Sequence, residues 1–350
     1  MIQDLRISNF KCFQDVHLRD LGRFNVIVGR NGGGKTALLE ALFLLASVGP
    51  ELVLKIRRMR GLGDSVSISA ERGSFESLWR DLFFDFDQTS TIALRAVGTD
   101  ENTRSLNVSY GPPAGATLPF GKGPVEEHVR HAAIDFEYGL ANGDAVTCQS
   151  TLTSQGLSFG AVVETFPAIL LSPVLREGPE HNGQRFSSLS KKGEHEAVVS
   201  AVRKQFPFIE GLSVEYHGGT AMVHAKLRSV HEKVPLPLVS DGINKMLSIL
   251  LAVHHFSRGI ILIDEMENGL YFALMGRASA AILHSARESN TQLFATTHSL
   301  EYLRALLPVV REHPDDFRLL RTTKDNGASA VDCFDGQHFA AALEEGLEIR

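Results

Sequence analysis

The pattern of apolar and polar positions divides the chain into short strand-like runs and longer helical ones. Ile2–Phe10 and His17–Leu21 read as short strands, and Phe24–Val28 is a compact apolar run of the fully buried kind. Glycine-rich residues 29–34 then lead into a helix, Lys35–Ala46, whose leucines cover most of its circumference. Strand-like segments follow at Thr91–Val97, Ser105–Tyr110, Ile134–Leu140 and Ala145–Leu152, and Gly111–Gly123, rich in proline and glycine, is a loop. From Ala168 the buried pattern returns, with a strand Ala168–Leu171, a helix Glu194–Gln205 and a hairpin turning at Gly218-Gly219. A long apolar helix from Asp241 to Phe256 is followed by strand Ile260–Ile263, helix Leu270–Arg287, strand Gln292–Thr296 and helix Leu300–Glu312. This alternation predicts an α/β fold, a parallel sheet covered on both faces.

Composition narrows the class. A hydrophobic content of 43 % over 350 residues suits a substantial core, and a net charge of −6 makes the molecule as a whole no glove for nucleic acid. Any DNA contact must come from a local basic patch, for which Lys55, Arg57, Arg58 and Arg60 are the candidates; a solvated helix face is the favoured account of them. Cys12, Cys148 and Cys333 are far apart and form no CxxC pair, which fits a reducing cytosol. The N-terminus lacks the apolar core of a signal peptide. The longest apolar stretches, Ala37–Val48 and Met246–Val253, fall short of the roughly 20 residues that span a bilayer. A cytoplasmic protein outside the membrane is expected.

Three motifs carry chemistry. Gly29-Arg-Asn-Gly-Gly-Gly-Lys35-Thr36 fits GxxxxGK[ST], between a buried strand and a helix. Backbone N–H groups there, at Asn31, Gly32, Gly33 and Gly34, can approach phosphates that bulkier side chains would hold off. Lys35 neutralises the β- and γ-phosphates of ATP, and the Thr36 hydroxyl takes a place on Mg²⁺. Ile260–Ile263 ends in Asp264 and Glu265, at the carboxyl edge of a parallel strand where ligands bind. Asp264 is the metal-holding acid and Glu265 orients or deprotonates the attacking water. Gln292–Thr296 leads to His298, placed to hydrogen-bond the γ-phosphate. Alone, that histidine reads as an ordinary surface or core residue, and Ser240 or Asp241 as a simple N-cap. His128, His131, His254 and His255 lack acidic or cysteine partners at metal-binding spacing.

Taken together, Asn9–Phe13, Gly29–Leu42, Ser240–Lys245, Ile263–Tyr271, Gln292–Leu303 and the terminal GLEIR resemble ABC-type ATPases of the RecF/SMC/OLD clade. The likeness is to the compact bacterial members found beside nuclease genes in defence loci. It implies a P-loop NTPase head spanning 1–350, with a parallel core sheet, an antiparallel β subdomain and a helical lobe. The core lobe would be 1–48 and 168–350, interrupted by a β/helical insertion at 49–167. The resemblance also implies ATP sandwiched in a homodimer or higher oligomer, with Ser240 and Gly242 of one copy facing the P-loop of the other and Asn268 at the interface. It calls for a Q-loop glutamine, for which Gln88 is the candidate. Two positions depart from the family pattern, Lys245 standing for arginine and Tyr271 for histidine.

Between the P-loop and Ser240 there are no sustained heptads, so no coiled-coil arm is expected. Asp332 and Asp335 are spaced DxxD, unlike a Toprim nuclease, which places any nuclease on a partner chain. The leading reading is an ATPase switch or sensor acting with a nuclease or toxic effector in anti-phage defence. A RecF-like DNA-repair ATPase is the alternative. A transporter nucleotide-binding subunit ranks last, because the LSGGQ signature is missing.

Overall fold

The run Phe24–Gly29 is buried at every position, which only a central strand covered on both faces allows. The computed structural model describes residues 1–46, 49, 51–61, 72–111, 133–153, 156–159, 166–173, 178–325 and 327–345. It places this strand inside a sheet ordered Ala328–Asp335, Phe317–Asp325, Phe24–Gly29, Gln292–Thr296, Ile260–Ile263, Ala168–Leu171. All neighbours run parallel except the first pair, an antiparallel hairpin. That hairpin escapes the sequence pattern because its outer strand is mixed and largely half-buried.

The period of two in these strands splits the core in half. Val26, Val28, Ile169, Ile261, Ile263, Leu293 and Ala295 face a layer built from helices Asp241–His255, Phe272–Glu288 and Leu300–Glu312. Ile27, Leu170, Ile260, Leu262 and Phe294 face helix Lys35–Ala46 on the other side. That helix buries every residue except Thr36, because a second sheet covers its far face. Its all-round leucines are the signature of a sandwiched helix.

The second sheet is antiparallel, in the order Phe13–Leu18, Ile2–Phe10, Ile92–Gly98, Thr103–Gly111, Ala133–Gly139, Ala145–Thr153, Gly156–Phe159. Strands from before and after residue 49 therefore share one sheet, through the pairing of Ile2–Phe10 with Ile92–Gly98. Its second strand starts at Phe13 rather than His17, because a tight turn pairs Phe10 with Phe13. A third, small sheet holds Ile209–His217, Thr220–Leu227 and Val234–Pro235, its hairpin closing on Gly218 and Gly219, both at positive φ.

Helices Glu51–Met59, Arg72–Trp79 and Pro179–Lys192 were not expected individually from the sequence. The last buries Asn182 and Arg185 beside Phe186 and Leu189, so its apolar stripe is too thin to read. The loop beyond Gly111, His128, His131 and residues 346–350 lie outside the described residues. Among the described residues, no helix is long and apolar enough to cross a membrane.

Candidate functional site

Parallel register gathers the chemistry. Ile27 pairs with Thr296 and Ile263 with Ala295, so Gly29, Asp264 and the Thr296–His298 segment emerge at the same sheet edge. Gly32, at φ +75, has nothing within 4 Å of its missing Cβ, whereas a Cβ on Gly34 would lie 2.9 Å from Cys12 and Phe13. The loop is thus packed behind and open in front. It leads into helix Lys35–Ala46, which puts backbone donors toward that opening. Lys35 is only 6 % exposed, and its Nζ donates to the carbonyls of Gly29 at 2.7 Å and Arg30 at 2.9 Å. Burial lowers its pKa from the ordinary lysine value, opposed by Asp264 and Glu267.

Asp264 Oδ1 accepts from Thr296 Oγ1 at 2.6 Å and from Thr36 Oγ1 at 3.5 Å. The acids that end the Ile260–Ile263 strand are held through their backbone. Glu265 sits at φ +54, a left-handed conformation costing about 1–2 kcal/mol for a side chain with a Cβ. Three contacts fix it there. Its N–H donates to Thr296 Oγ1 at 2.8 Å, its carbonyl accepts from Lys245 Nζ at 2.7 Å, and its carboxylate accepts from Asn268 Nδ2 at 3.2 Å. The His298 N–H donates to Glu267 Oε1, and the exposed imidazole lines the cavity in front of the P-loop.

That cavity is about 1060 Å³ and is bordered by Asn31, Gly32, Gly34, Lys35, Thr36 and His298. Ser240 and Gly242 do not border it. Ser240 caps helix Asp241–His255, its Oγ accepting from Ile243 N–H, so the capping explanation is real. Gly242 has a packing reason of its own, since a Cβ there would meet the Gly269 carbonyl at 2.8 Å. Asp241, Lys245, Asn268 and Asp264 line a second cavity of about 310 Å³ on the signature side.

Other candidates fall elsewhere. Gln88 donates to the Glu76 carbonyl and the Tyr110 hydroxyl and does not border the P-loop cavity. Within the basic run, Arg57 pairs with Asp81 and the exposed Arg60 chelates Glu40, while Lys55 and Arg58 are exposed as well. His254 bonds Ser289, His255 packs edge-on against Phe256, Asp332 pairs with Arg321, and Asp335 caps helix Gly336–Glu344.

Comparison with known proteins fits this geometry. Residues 1–92 match the family model described as "AAA ATPase domain". Residues 218–304 match "AAA domain, putative AbiEii toxin, Type IV TA system". A Helicobacter pylori protein named ATP/GTP phosphatase is 27 % identical over 334 residues, 89 % of each chain. Shorter stretches match RecF of Idiomarina loihiensis, 48 % identical over 44 residues (13 % of this chain, 12 % of that one). The OLD nuclease of Thermus scotoductus is 45 % identical over 53 residues, 15 % of this chain and 10 % of that one. A solved Smc head bound to the C-winged helix domain of ScpA shares the fold, with a TM-score of 0.50 at 15 % identity over 99 % of both chains. These likenesses support an ABC-type ATPase of the RecF/SMC/OLD clade.

The structure of this ATPase adds residues that motif reading passes over. Thr296 bridges Asp264 and the Glu265 backbone, a role only strand register reveals. Glu40, 2 % exposed at its side chain, bonds Lys11 at 2.6 Å and Arg60 at 2.6 and 2.8 Å, and both cations border the P-loop cavity. No spacing rule joins positions 11, 40 and 60. Only the fold does.

Proposed function

We propose that this ATPase binds ATP in the P-loop cavity, hydrolyses it with Glu265 as the water-activating base, and works as a dimeric switch. The observation that carries the reading is convergence. The P-loop backbone, Lys35, Thr36 and His298 border one cavity, while Asp264, within 3.5 Å of Thr36, and Glu265 beside it end a neighbouring strand at the same sheet edge. The residues present fit Mg²⁺, with Thr36 and Asp264 supplying hard oxygen donors, and no cluster of three or more His, Cys, Asp or Glu ligands competes among the described residues. When bound, the ion would neutralise phosphate charge as it develops. Lys35 would exchange its carbonyl acceptors for phosphate oxygens, Glu265 would orient water and accept its proton, and His298 would donate to the γ-phosphate.

In this reading Ser240 and Gly242, at the start of helix Asp241–His255, serve the nucleotide of a second copy. The family description naming a toxin system and the likeness to an OLD nuclease support a nuclease or toxic effector as partner, in anti-phage defence. The short RecF likeness favours the alternative, a DNA-end-binding ATPase, for which Lys55, Arg58 and Arg60 of the basic run are exposed, Arg60 being already paired with Glu40.

Calorimetry and sedimentation test the first part. Lys35→Ala should abolish ATP binding, while Glu265→Gln should bind and accumulate as a nucleotide-held dimer. No heat of binding at millimolar ATP would end the reading, and a monomeric Glu265→Gln complex would remove the dimer. Mass spectrometry of the natively purified complex tests the effector; recovery of DNA-repair factors instead of a nuclease or toxin would favour the alternative.

A further inference from the structure

We propose that Phe84–Asp85–Phe86 is the nucleobase end of this nucleotide site, with the Phe86 ring as stacking face and the Asp85 carboxylate as edge reader. The inference rests on the proposed binding of ATP at the P-loop. It starts from where the segment is tied. Phe10 bridges Phe83, and the Lys11 N–H donates to the Leu82 carbonyl at 2.7 Å. The neighbouring residues Cys12 and Phe13 pack directly behind Gly34 of the P-loop. Phe83 is buried and stacked on Tyr110 at 5.7 Å, so the segment leaves a rigid anchor.

Beyond that anchor the backbone is held open. Asp85 lies at φ +50 and Phe86 at φ +58, two consecutive side-chain-bearing residues in the left-handed region. Aspartate tolerates that conformation; for a bulky phenylalanine it is an outlier, of the kind concentrated at ligand clamps. The outcome is a phenylalanine 56 % exposed, with Phe84 half-buried beside it, on the border of the same cavity as the P-loop. Arg80 lies over the Phe86 ring at 5.2 Å.

The cavity's size leaves room for more than phosphates, since its 1060 Å³ exceeds the roughly 300–1,000 Å³ of ordinary small-molecule sites. An apolar ring held at the border of a polar, phosphate-binding cavity fits a flat heterocycle that can stack on it. Asp81 is engaged by Arg57 at 3.0 Å, whereas Asp85 is an exposed acceptor-only carboxylate. It suits a base whose edge presents N–H donors. The class of ligand is a nucleoside triphosphate whose base carries an exocyclic amino group, as adenine does.

Titration calorimetry with ATP and with inorganic tripolyphosphate, both with Mg²⁺, separates the base from the phosphates. Phe86→Ala should weaken ATP roughly tenfold, at the low end for loss of a base–aromatic stack, and leave tripolyphosphate unchanged. Phe86→Tyr, which keeps the ring, should bind both ligands like wild type. If Phe86→Ala holds ATP as tightly as wild type while Lys35→Ala loses it, nucleotide binds but its base lies elsewhere, and the proposal falls alone. Equal losses for ATP and tripolyphosphate would also overturn it, as the mark of a distorted P-loop. Wild type binding neither ligand would remove the ATP site itself.

Discussion

The two helical faces of the core sheet each take in a charge beside the nucleotide site, and the two charges live in opposite circumstances. Glu40, on the P-loop helix, is fully enclosed, yet Lys11 and Arg60 bond it directly. Burial alone would push its carboxyl up, but the two cations outweigh that and hold it below its ordinary value. Lys245, on the signature helix, has a carbonyl as its hydrogen-bond partner and only the more diffuse attraction of Glu267, Glu265 and Asp264. Burial dominates there and pulls the ammonium down to about 8. A charge whose ionised form is favoured belongs to scaffold. One that is ionised at a cost, against the backbone of the acid proposed as the base, is the place to look for a response to what the site binds.

The comparison is broken most decisively at Glu265 itself. Glu265→Gln should lower turnover by about 10²–10⁴, the range for loss of a general base, and leave thermal stability unchanged because the backbone contacts persist. A comparable loss of melting temperature would mean that the acid is structural, and the distinction between the two faces would vanish.

Glu40→Gln probes the other side. It should cost about 3 kcal/mol of stability, the lower end for breaking a buried ion pair, because Arg60 is 42 % exposed and can rehydrate. The pH dependence has a definite sign. A carboxylate with depressed pKa contributes above the ordinary glutamate value of about 4.3, and loses that contribution as pH falls through the depressed folded value. The stability gap between wild type and Glu40→Gln should therefore stay constant near neutrality and close only in acid. A gap already closing at pH 6 would show that the pair is not what holds the charge.

How much of this was legible beforehand divides along the same line. The buried strands and the all-round helix Lys35–Ala46 were readable, and the P-loop, Asp264, Glu265 and His298 could be named as candidates, because apolar runs and phosphate chemistry leave local patterns. The Glu40 triad, the Thr296 bridge and the left-handed Glu265 were not, since each depends on which segments lie side by side. Gln88 shows the converse hazard. A glutamine chosen for its position along the chain turns out to serve Glu76 and Tyr110.

Lys245 sharpens the contrast at a smaller scale. Lys245→Met removes the donor to the Glu265 carbonyl and should slow turnover about tenfold, roughly 1.4 kcal/mol of misplacement at the base. Lys245→Arg should restore part of the rate, since the charge returns on a wider head group. Equal turnover in wild type and Lys245→Met would show that Thr296 and Asn268 suffice to place the acid.

The smallest effect is also the most direct reading of the uncomfortable charge. An unfolded lysine titrates at about 10.4, whereas Lys245 titrates at about 8 in the folded chain. Between those values the unfolded state binds more protons than the folded one, so stability rises with pH across the window. Below it, the folded chain carries the full cost of the buried ammonium. Denaturant titrations of wild type and Lys245→Met at matched pH cancel every other lysine. The wild type should gain stability relative to the variant as pH rises above 8. A difference that stays flat to pH 10 would place Lys245 in the same class as Glu40, a satisfied charge, and the two faces of the sheet would no longer differ in kind.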